Sequence, residues 1–582
     1  MFMLRNILEV TRSSTISDHP IDTLIRGAKQ EHDLRLKEAS AVRSLNGAVN
    51  EYRRRYDRHP PPGFDVWYDF ATARSSVVIS DYDSIHNDLL PFWSLPPAEL
   101  RRRTWELVSD PSNDIAAIRI RNGSAWPSEN ISHPYYPMLR DVADMVNGFS
   151  SLLPDMDLAI NLNNDCRVAV PWSEVEKMRE FGRNAGTLEW GKDVHWSVDR
   201  AGGWETAAAE SVQGAIFDRP SLKETFLSYG TVGCSPGSRA LTNRVWDKHK
   251  LCLSCIQPHS LGGFMHNWTL AADVCHQPDL ANLHGQYMLP WRFKGTHRLM
   301  PVFSQRKLHG FNDILYPGGW LYDGAEEYAP TYSPSTEHPD PPFREKANSL
   351  FWRGQAVEGI SVSGNWKGMT PQRFAYLAND GKSIDDYAIV LADTPDGKYT
   401  YRQLAHANLH SSLSLDVAFD RSFALCVGPD CVDQKKSFNI SSKRIPFQQH
   451  WQSRYLLDID DGLFGHFLPF LKSGSLPFRM GIFREWYDSR ISPWLHFVPL
   501  DSRLHALHST LAYFQGIDTT DMNGRPVRLA AHEREAESIA EAGREWADEV
   551  TREEDKLIYF FRLCLEWGRL TDDRRDEIGF QM

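Results

Sequence analysis

The chain lacks a basic excess. Lys and Arg number 64 against 76 Asp and Glu, a formal net charge of −12. A nucleic-acid partner needs cations to displace phosphate counterions, so the balance argues against that class. Two locally basic runs, "EYRRRYDR" (51–58) and "RRRTW" (101–105), have acids nearby and read as solvated helix faces. Long apolar runs are also missing. No segment reaches the ~18 consecutive apolar residues of a membrane span. The start, "MFMLRNILEVTRSS", is too short and too charged to read as a secretory signal. No internal repeat is visible. Cysteine is sparse, 8 in 582 residues, which leaves stability to a packed core.

What is present suits such a core. Hydrophobic residues make 41% and charged residues 24%, the balance of a soluble globular protein. A chain of 582 residues is too long for one core, so two packed domains with extensions are expected. Aromatics reach 12%, which serves core packing and equally the stacking of sugar rings. Asn122, Asn130, Asn267 and Asn439 each open an N-x-Ser/Thr triplet. The even cysteine number fits disulfides in a lumenal protein. "CVGPDC" (Cys426, Cys431) can close a small Gly-Pro turn, and Cys234, Cys252, Cys255 and Cys275 cluster upstream. "CLSC" (252–255) is alternatively half of a zinc site, with Cys275 and His276 downstream. Disulfides or core thiols are the preferred reading.

Residues 1–110 read as a helical, charged arm, interrupted by "HPPPGF" (59–64), where consecutive prolines stop a helix. Residues 111–324 hold short apolar runs, among them the strand candidates "DIAAIRIRNG" and "DMDLAINLNND". "AEEYAPTYSPSTEHPDPPF" (325–343) is the linker candidate. In 344–515 strands and helices alternate: "SLFWRGQA", "YAIVLAD", "RSFALCVGPD", "RYLLDID", "GSLPFRMGI" and "LHFVPLD" are strand candidates, and "TPQRFAYLAND" is a helix. Alternation of this kind argues for a parallel sheet covered by helices. Residues 516–582 are helical and turn strongly apolar at "LIYFFRLCLEW", which must pack back on the body.

The stretch "RYLLDIDDGLFGHFLPFLKSGSLPF" (454–478) admits two readings. "DIDD" is either an acid cluster that holds a divalent cation against a nucleotide sugar, or the turn of a βαβ unit. Asp458 and Ile459 still belong to the apolar run, which would bury one acid in the strand. The residues after them look like a tight turn, a helix start and a helix end at Gly474. The βαβ reading is preferred. It places an anion at the helix start and needs no metal. Pro469 is tolerable only near that start.

"SRYLLDIDDGLFGHFLPFLKSGSLPFRMGIFREWYDSRISPWLHFVPLD" (453–501) resembles the signature of glycosyltransferase family 90, which holds fungal capsule-associated xylosyltransferases and animal protein O-glucosyltransferases. The same order of blocks continues in "EYRRRYDRHPPPGFDVWYDFA" (51–71), "DMDLAINLNNDCRVAVPW" (155–172), "SLFWRGQ" (349–355) and "AEAGREWADEVTREEDKLIYFFRLCLEWGRL" (540–570). The likeness runs, with gaps, from about residue 50 to the C-terminus, and the fungal branch fits best. It implies an α/β fold of GT-B type. Two Rossmann-like domains face a cleft, a helical arm precedes them, and a last helix crosses back. It further implies metal-independent inverting transfer of xylose or glucose from a UDP-sugar to a glycan or glycoprotein hydroxyl, in the lumen of the Golgi or secretory pathway, with no resident cofactor; a soluble cytosolic paralogue is the alternative.

The resemblance assigns residues unevenly. The family's base position falls on Asn164, which cannot accept a proton, and the acid is its neighbour Asp165. Either Asp165 serves as base through a one-residue bulge, or the chain is a weakened transferase. A turn residue is the plain alternative for Asp165. Where the family shows Gly-Arg-Phe at the helix start, this chain has Gly465-His466-Phe467. His466 would donate to the diphosphate with fewer bonds than Arg, or simply cap a helix. Arg353 and Gly354 are retained, with Arg353 as diphosphate ligand or as one half of an ion pair, but Gln355 replaces the hydroxyl residues usual after them. Ser473 and Ser475 flank Gly474 as in the family and are taken with the donor site, although a turn-shaping role is natural for both. Glu485 is a candidate for a nucleoside hydroxyl or a surface acid. A non-catalytic UDP- or carbohydrate-binding descendant is the alternative to the enzyme.

Overall fold

The computed structural model describes residues 15–40, 42, 44–129, 136–163, 165–185, 193–210, 215–219, 225–243, 252–318, 339–379, 387–420, 423, 425–441, 445–459 and 466–582. Helices α1 (Pro20–Ser40), α2 (Leu45–Tyr56), α3 (Phe64–Ala73) and α4 (Pro97–Ser109) lead. Proline opens α1, where its missing N–H is no loss. Ser44 caps α2 by accepting from Gly47 N at 3.1 Å, and Asp57 ends it at φ +50. The prolines at 60–62 then prevent continuation.

The first sheet contains β1 (Ile115–Arg121), β2 (Ser124–Pro127), β3 (Met156–Asn161), β4 (Val302–Ser304) and β6 (Ile314–Leu315), in the order β2-β1-β3-β4-β6. The pairs β1/β2 and β1/β3 are antiparallel; β3/β4 and β4/β6 are parallel. Helix α5 (Tyr136–Asn147) lies between β2 and β3 in the chain, and β5 (Arg306–Leu308) between β4 and β6. Every residue of β3 is buried, as its near-continuous apolar run demands. Asp157 is tolerated there because Arg121 Nη1 lies 2.7 Å away.

The second sheet is wholly parallel. It contains β7 (Ala347–Gly354), β10 (Leu415–Phe419), β11 (Ser453–Ile459), β12 (Leu476–Met480) and β14 (Val498–Leu500), ordered β10-β7-β11-β12-β14. Helix α6 (Thr370–Asn379) follows β7, and α7 (Phe467–Lys472) joins β11 to β12. Pro469 is the third residue of α7, where the N–H has no intrahelical acceptor in any case. "YAIVLAD" forms a strand, β8 (Tyr387–Asp393), but outside the parallel sheet: it pairs antiparallel with β9 (Tyr399–Ala405). "RSFALCVGPD" is a correction. Its described residues lie outside any named strand, Cys426 makes only an isolated bridge to Ser361, and Pro429 opens a helix. Most of the linker candidate falls outside the described residues.

Strand β13 (Phe483–Glu485) pairs antiparallel with β5 and stitches the two sheets together. The C-terminal segments divide between the cores. Helix α8 (Leu507–Gln515) and the face of α9 (Glu533–Val550) bearing Ala536, Ile539 and Ala540 join the second core. Helix α10 (Glu553–Leu570) buries Ile558 to Leu565 and Trp567 in the first core, with Tyr52, Trp67 and Leu107 of the N-terminal helices. Side chains from residues 48–107 thus pack into that core, whereas Ile21 and Leu24 of α1 join the second. Among the described residues, no helix is long and apolar enough to cross a membrane.

Cys234–Cys275, Cys252–Cys255 and Cys426–Cys431 are joined as disulfides, with Cα separations of 5.4, 5.2 and 5.2 Å. Cys166 and Cys564 are free and buried. Both sulfurs of "CLSC" are thus committed to each other.

Candidate functional site

The order β10-β7-β11-β12-β14 makes the chain leave β7 in one direction and resume from β11 in the other. By the general rule for open α/β sheets, that reversal makes the carboxyl ends of β7 and β11 the expected ligand crevice. Arg353 and Gly354 end β7, with Gln355 next. His466 precedes α7 on the far side of the loop that leaves β11. The structure therefore brings Arg353, Gly354 and His466 to one edge. Asn164, Gly465, Asp460 and Asp461 lie outside the described residues. Asp458, the remaining acid of "DIDD" besides those two, is buried within β11 opposite Arg479 of β12.

Each of the three has a local reason. A Cβ on Gly354 would stand 2.3 Å from the Trp352 ring, so packing alone requires glycine there. Arg353 folds back: Nη1 donates to Asp416 O at 2.8 Å and Nη2 to Asp416 Oδ1 at 2.6 Å. Its guanidinium lies 4.5 Å from the centroid of Phe351. His466 packs near Phe447 and Phe470, and burial pushes its pKa down to about 4, offset in part by Asp420. Without a ligand His466 is neutral.

Ser473 and Ser475 belong elsewhere, which corrects their assignment to the donor site. They precede β12, at the amino edge of a parallel sheet whose crevice is at the carboxyl edge. The seven residues of β11 separate the two edges by about 20 Å. Ser473 Oγ donates to Phe470 O and accepts from Ser475 N, at 2.7 and 3.2 Å. Ser475 Oγ donates to Ser453 O at 2.8 Å and accepts from Lys346 Nζ at 2.9 Å. Both hydroxyls are used in shaping the turn.

The second cluster sits where the sheets meet. Asp165 follows β3, and its backbone oxygen accepts from Asn161 Nδ2 at 2.8 Å. Its Oδ1 lies 3.8 Å from Arg306 Nη2 on β5. Burial lifts the Asp165 carboxyl above the usual carboxylate range, against the opposing pull of Arg306 and Arg167. Arg306 is the register partner of Glu485 on β13, so the two sequence candidates flank one arginine. The Arg306 guanidinium lies 3.9 Å from the Phe483 ring centroid. Tyr487 shares a hydrogen bond with Glu485; burial and that carboxylate push its phenol well up. Arg479 Nη1 meets Asp488 Oδ1 at 2.5 Å, and Asp488 Oδ2 accepts from Glu485 N at 3.1 Å.

Several residues here escaped the sequence reading. Asp313 is fully buried and accepts from Arg167 N, Val168 N and Ser304 Oγ at 2.7–3.0 Å, fixing the backbone beside Asp165. A chain of imidazoles and carboxylates also spans the meeting of the sheets. Asp501 Oδ2 lies 2.7 Å from His259 Nε2, and His259 Nδ1 3.2 Å from His276 Nε2. His276 Nδ1 is 3.9 Å from Asp273, which His309 Nε2 approaches at 3.2 Å. Burial would raise Asp501, but Arg503, with His259 and His505, holds it well below the ordinary value. These groups span residues 259–505; apart from His276, named with Cys275 as a zinc alternative, no local spacing announces them.

The arrangement can supply a largely buried carboxylate of raised basicity, an arginine beside it, and an arginine with a neutral histidine at the sheet's crevice. No family model matches the chain.

Proposed function

We propose that the chain is a UDP-sugar-dependent, metal-independent inverting glycosyltransferase of GT-B type, transferring xylose or glucose to a glycan or glycoprotein hydroxyl. The observation that carries the reading is the position of Asp165. It is a carboxylate of raised pKa, 3.8 Å from Arg306, which in turn is paired in register with Glu485 in the ribbon of β5 and β13.

In this reading Asp165 accepts the proton of the acceptor hydroxyl as that oxygen attacks the anomeric carbon. Attack from the face opposite UDP inverts the centre. Charge develops on the departing diphosphate, and Arg353 and His466 stabilise it. Arg306 orients Asp165 and moderates its basicity. Glu485 accepts from a nucleoside hydroxyl. Disulfides at three positions support a lumenal setting in the secretory pathway.

A second reading, a UDP- or carbohydrate-binding protein without transfer, is favoured by one observation: the Arg353 fork is already occupied by Asp416. Titration calorimetry with UDP, with and without EDTA, separates the possibilities. Binding that survives the chelator supports the βαβ phosphate site. Binding lost with EDTA revives the acid-cluster reading of "DIDD", and absence of binding rejects the enzyme. Sugar release or transfer from UDP-xylose or UDP-glucose that stops in Asp165→Asn then selects the enzyme over the binding protein.

A further inference from the structure

The sheet face beside the crevice carries a side chain that the reading above does not use. The turn Phe447–Gln452 leads into β11 and lays His450 against Phe351, with ring centroids 4.7 Å apart. Phe447 and Phe470 complete the surround at 4.7 and 5.9 Å. His450 is 5% exposed, and its Nδ1 has no hydrogen-bond partner among the described residues. His466 packs on the same pair, 5.1 Å from Phe447 and 6.0 Å from Phe470. Arg353 covers Phe351, and its Nε is likewise buried without a partner. Three side chains able to carry positive charge thus converge on one aromatic layer.

Among the described residues, two carboxylates act on them. Asp416 takes Arg353 but is itself 56% exposed. Asp420 acts on His466. The titratable groups that act on His450 are His466 and Arg353, and a positive charge on either opposes its protonation. Burying a second and third cation there without a counter-anion is costly. The imidazoles accordingly stay neutral: burial lowers both, His466 to about 4, and His450 is lowered further by its two neighbours. A multiply charged anion at Arg353 reverses the local field and favours the imidazolium forms.

We infer that Arg353, His466 and His450 form one anion site, in which the diphosphate of a nucleotide contacts Arg353 and His466 and draws a proton onto the histidine pair, with His450 in the layer beneath. The inference rests on the reading of the crevice as a nucleotide site. The proton comes from solvent on binding and returns to it on release. Tighter binding at lower pH follows, by up to about tenfold per pH unit for each proton taken up. The ligand's own phosphate titrates near pH ~6 with the opposite effect, so the measurement belongs at pH 7 to 8.

The experiment is UDP calorimetry on the full chain in buffers of different ionisation enthalpy, with pyrophosphate as a probe lacking the nucleoside. Expected for the wild type is uptake of about one proton per UDP at pH 7 and affinity about five- to tenfold higher than at pH 8. His466→Gln should cut the uptake by about half or more, and so should His450→Phe, which keeps a ring in the aromatic layer and preserves folding. UDP binding without uptake, or with uptake unchanged in both variants, overturns the inference and leaves the nucleotide reading standing. Proton-coupled pyrophosphate binding with UDP no tighter keeps the anion site and overturns the nucleotide reading. Absence of heat with either ligand overturns both.

Discussion

The crevice at β7 and β11 and the meeting of the sheets at β5 and β13 are balanced differently. At the meeting of the sheets, buried charges are matched. Arg503 holds Asp279 through two bonds of 2.7 and 2.8 Å and also reaches Asp501, with all three side chains at most 3% exposed. Arg479 has Asp488, and Arg306 has Asp165. At the crevice, among the described residues, Arg353 and two neutral imidazoles have Asp416 and Asp420 beside them. Burial is common to both regions, so burial does not mark the ligand site. The exposure of the paired carboxylate does: Asp279 and Asp501 are buried with Arg503, whereas Asp416, the partner of Arg353, is 56% exposed and free to yield to a ligand.

The sharpest test of this contrast is chemical. Asp165→Asn should reduce transfer by about a thousandfold, the usual size of a general-base contribution, while UDP affinity, set at the crevice, stays within about twofold. Because burial raises the Asp165 carboxyl, the acidic limb of the kcat/KM profile should lie above the ordinary carboxylate range. Parallel loss of UDP binding in this variant would collapse the two regions into one.

Next in size is a stability difference. Arg503→Ala leaves Asp279 and Asp501 buried without their counter-charge and should cost about 3–5 kcal/mol in denaturant unfolding. Arg353→Ala gives up a pair whose carboxylate is exposed and should cost under about 1 kcal/mol. Equal losses would show that the crevice is as tightly built as the meeting of the sheets.

This contrast also explains what a single sequence reveals. Strands β3, β7, β11, β12 and β14 each hold a short apolar run, and such runs read as buried strands whatever they pair with. The Cys426–Cys431 bond closes a loop of a few residues and is visible as "CVGPDC". Pairing partners are another matter. Nothing within "YAIVLAD" distinguishes a parallel neighbour from the antiparallel β9 a few residues later. Phe423 of "RSFALC" packs beside Phe419 and Phe438, a contact that accounts for an apolar side chain there without a strand at Phe423. Arg306 meets Asp165 across 141 residues and His259 meets Asp501 across 242, and no spacing rule operates at that range. Ser473 and Ser475 were legible as turn formers from the glycine between them, and only the parallel topology put them on the wrong edge for a donor.

Acid should expose the buried histidines. Burial holds His19, His496 and His508 near pKa 3, and His86 and His466 near 4. Each folded value lies below the unfolded value of about 6.5, so the unfolded chain binds more protons between the two. Stability is therefore full above about pH 6.5 and falls as the pH drops toward 4, by on the order of 2–3 kcal/mol for a fully buried imidazole such as His508. His508→Gln should flatten the fall in melting temperature between pH 6.5 and 4.5. An unchanged slope would mean that His508 is protonated in the folded protein. The histidines at the crevice should behave differently from His508, since bound UDP favours their charged forms.

The smallest expected effect tests the crevice without touching its cations. Asp416 is the carboxylate that folds Arg353 back along the sheet, and it competes with any diphosphate for the same fork. Its exposed carboxylate is well solvated, so the pair is weak in water and yields readily to a phosphate. Asp416→Asn keeps the backbone carbonyl that accepts from Nη1 and removes the competing charge. UDP affinity should rise about two- to fivefold, while unfolding stability changes by less than about 0.5 kcal/mol. Because the anion then meets a guanidinium with no charge to displace, the gain should shrink in high salt, where exposed charges are screened. A loss of affinity instead would show that Asp416 positions Arg353 for the ligand, which would make the ion pair part of the site and remove the asymmetry between the two regions.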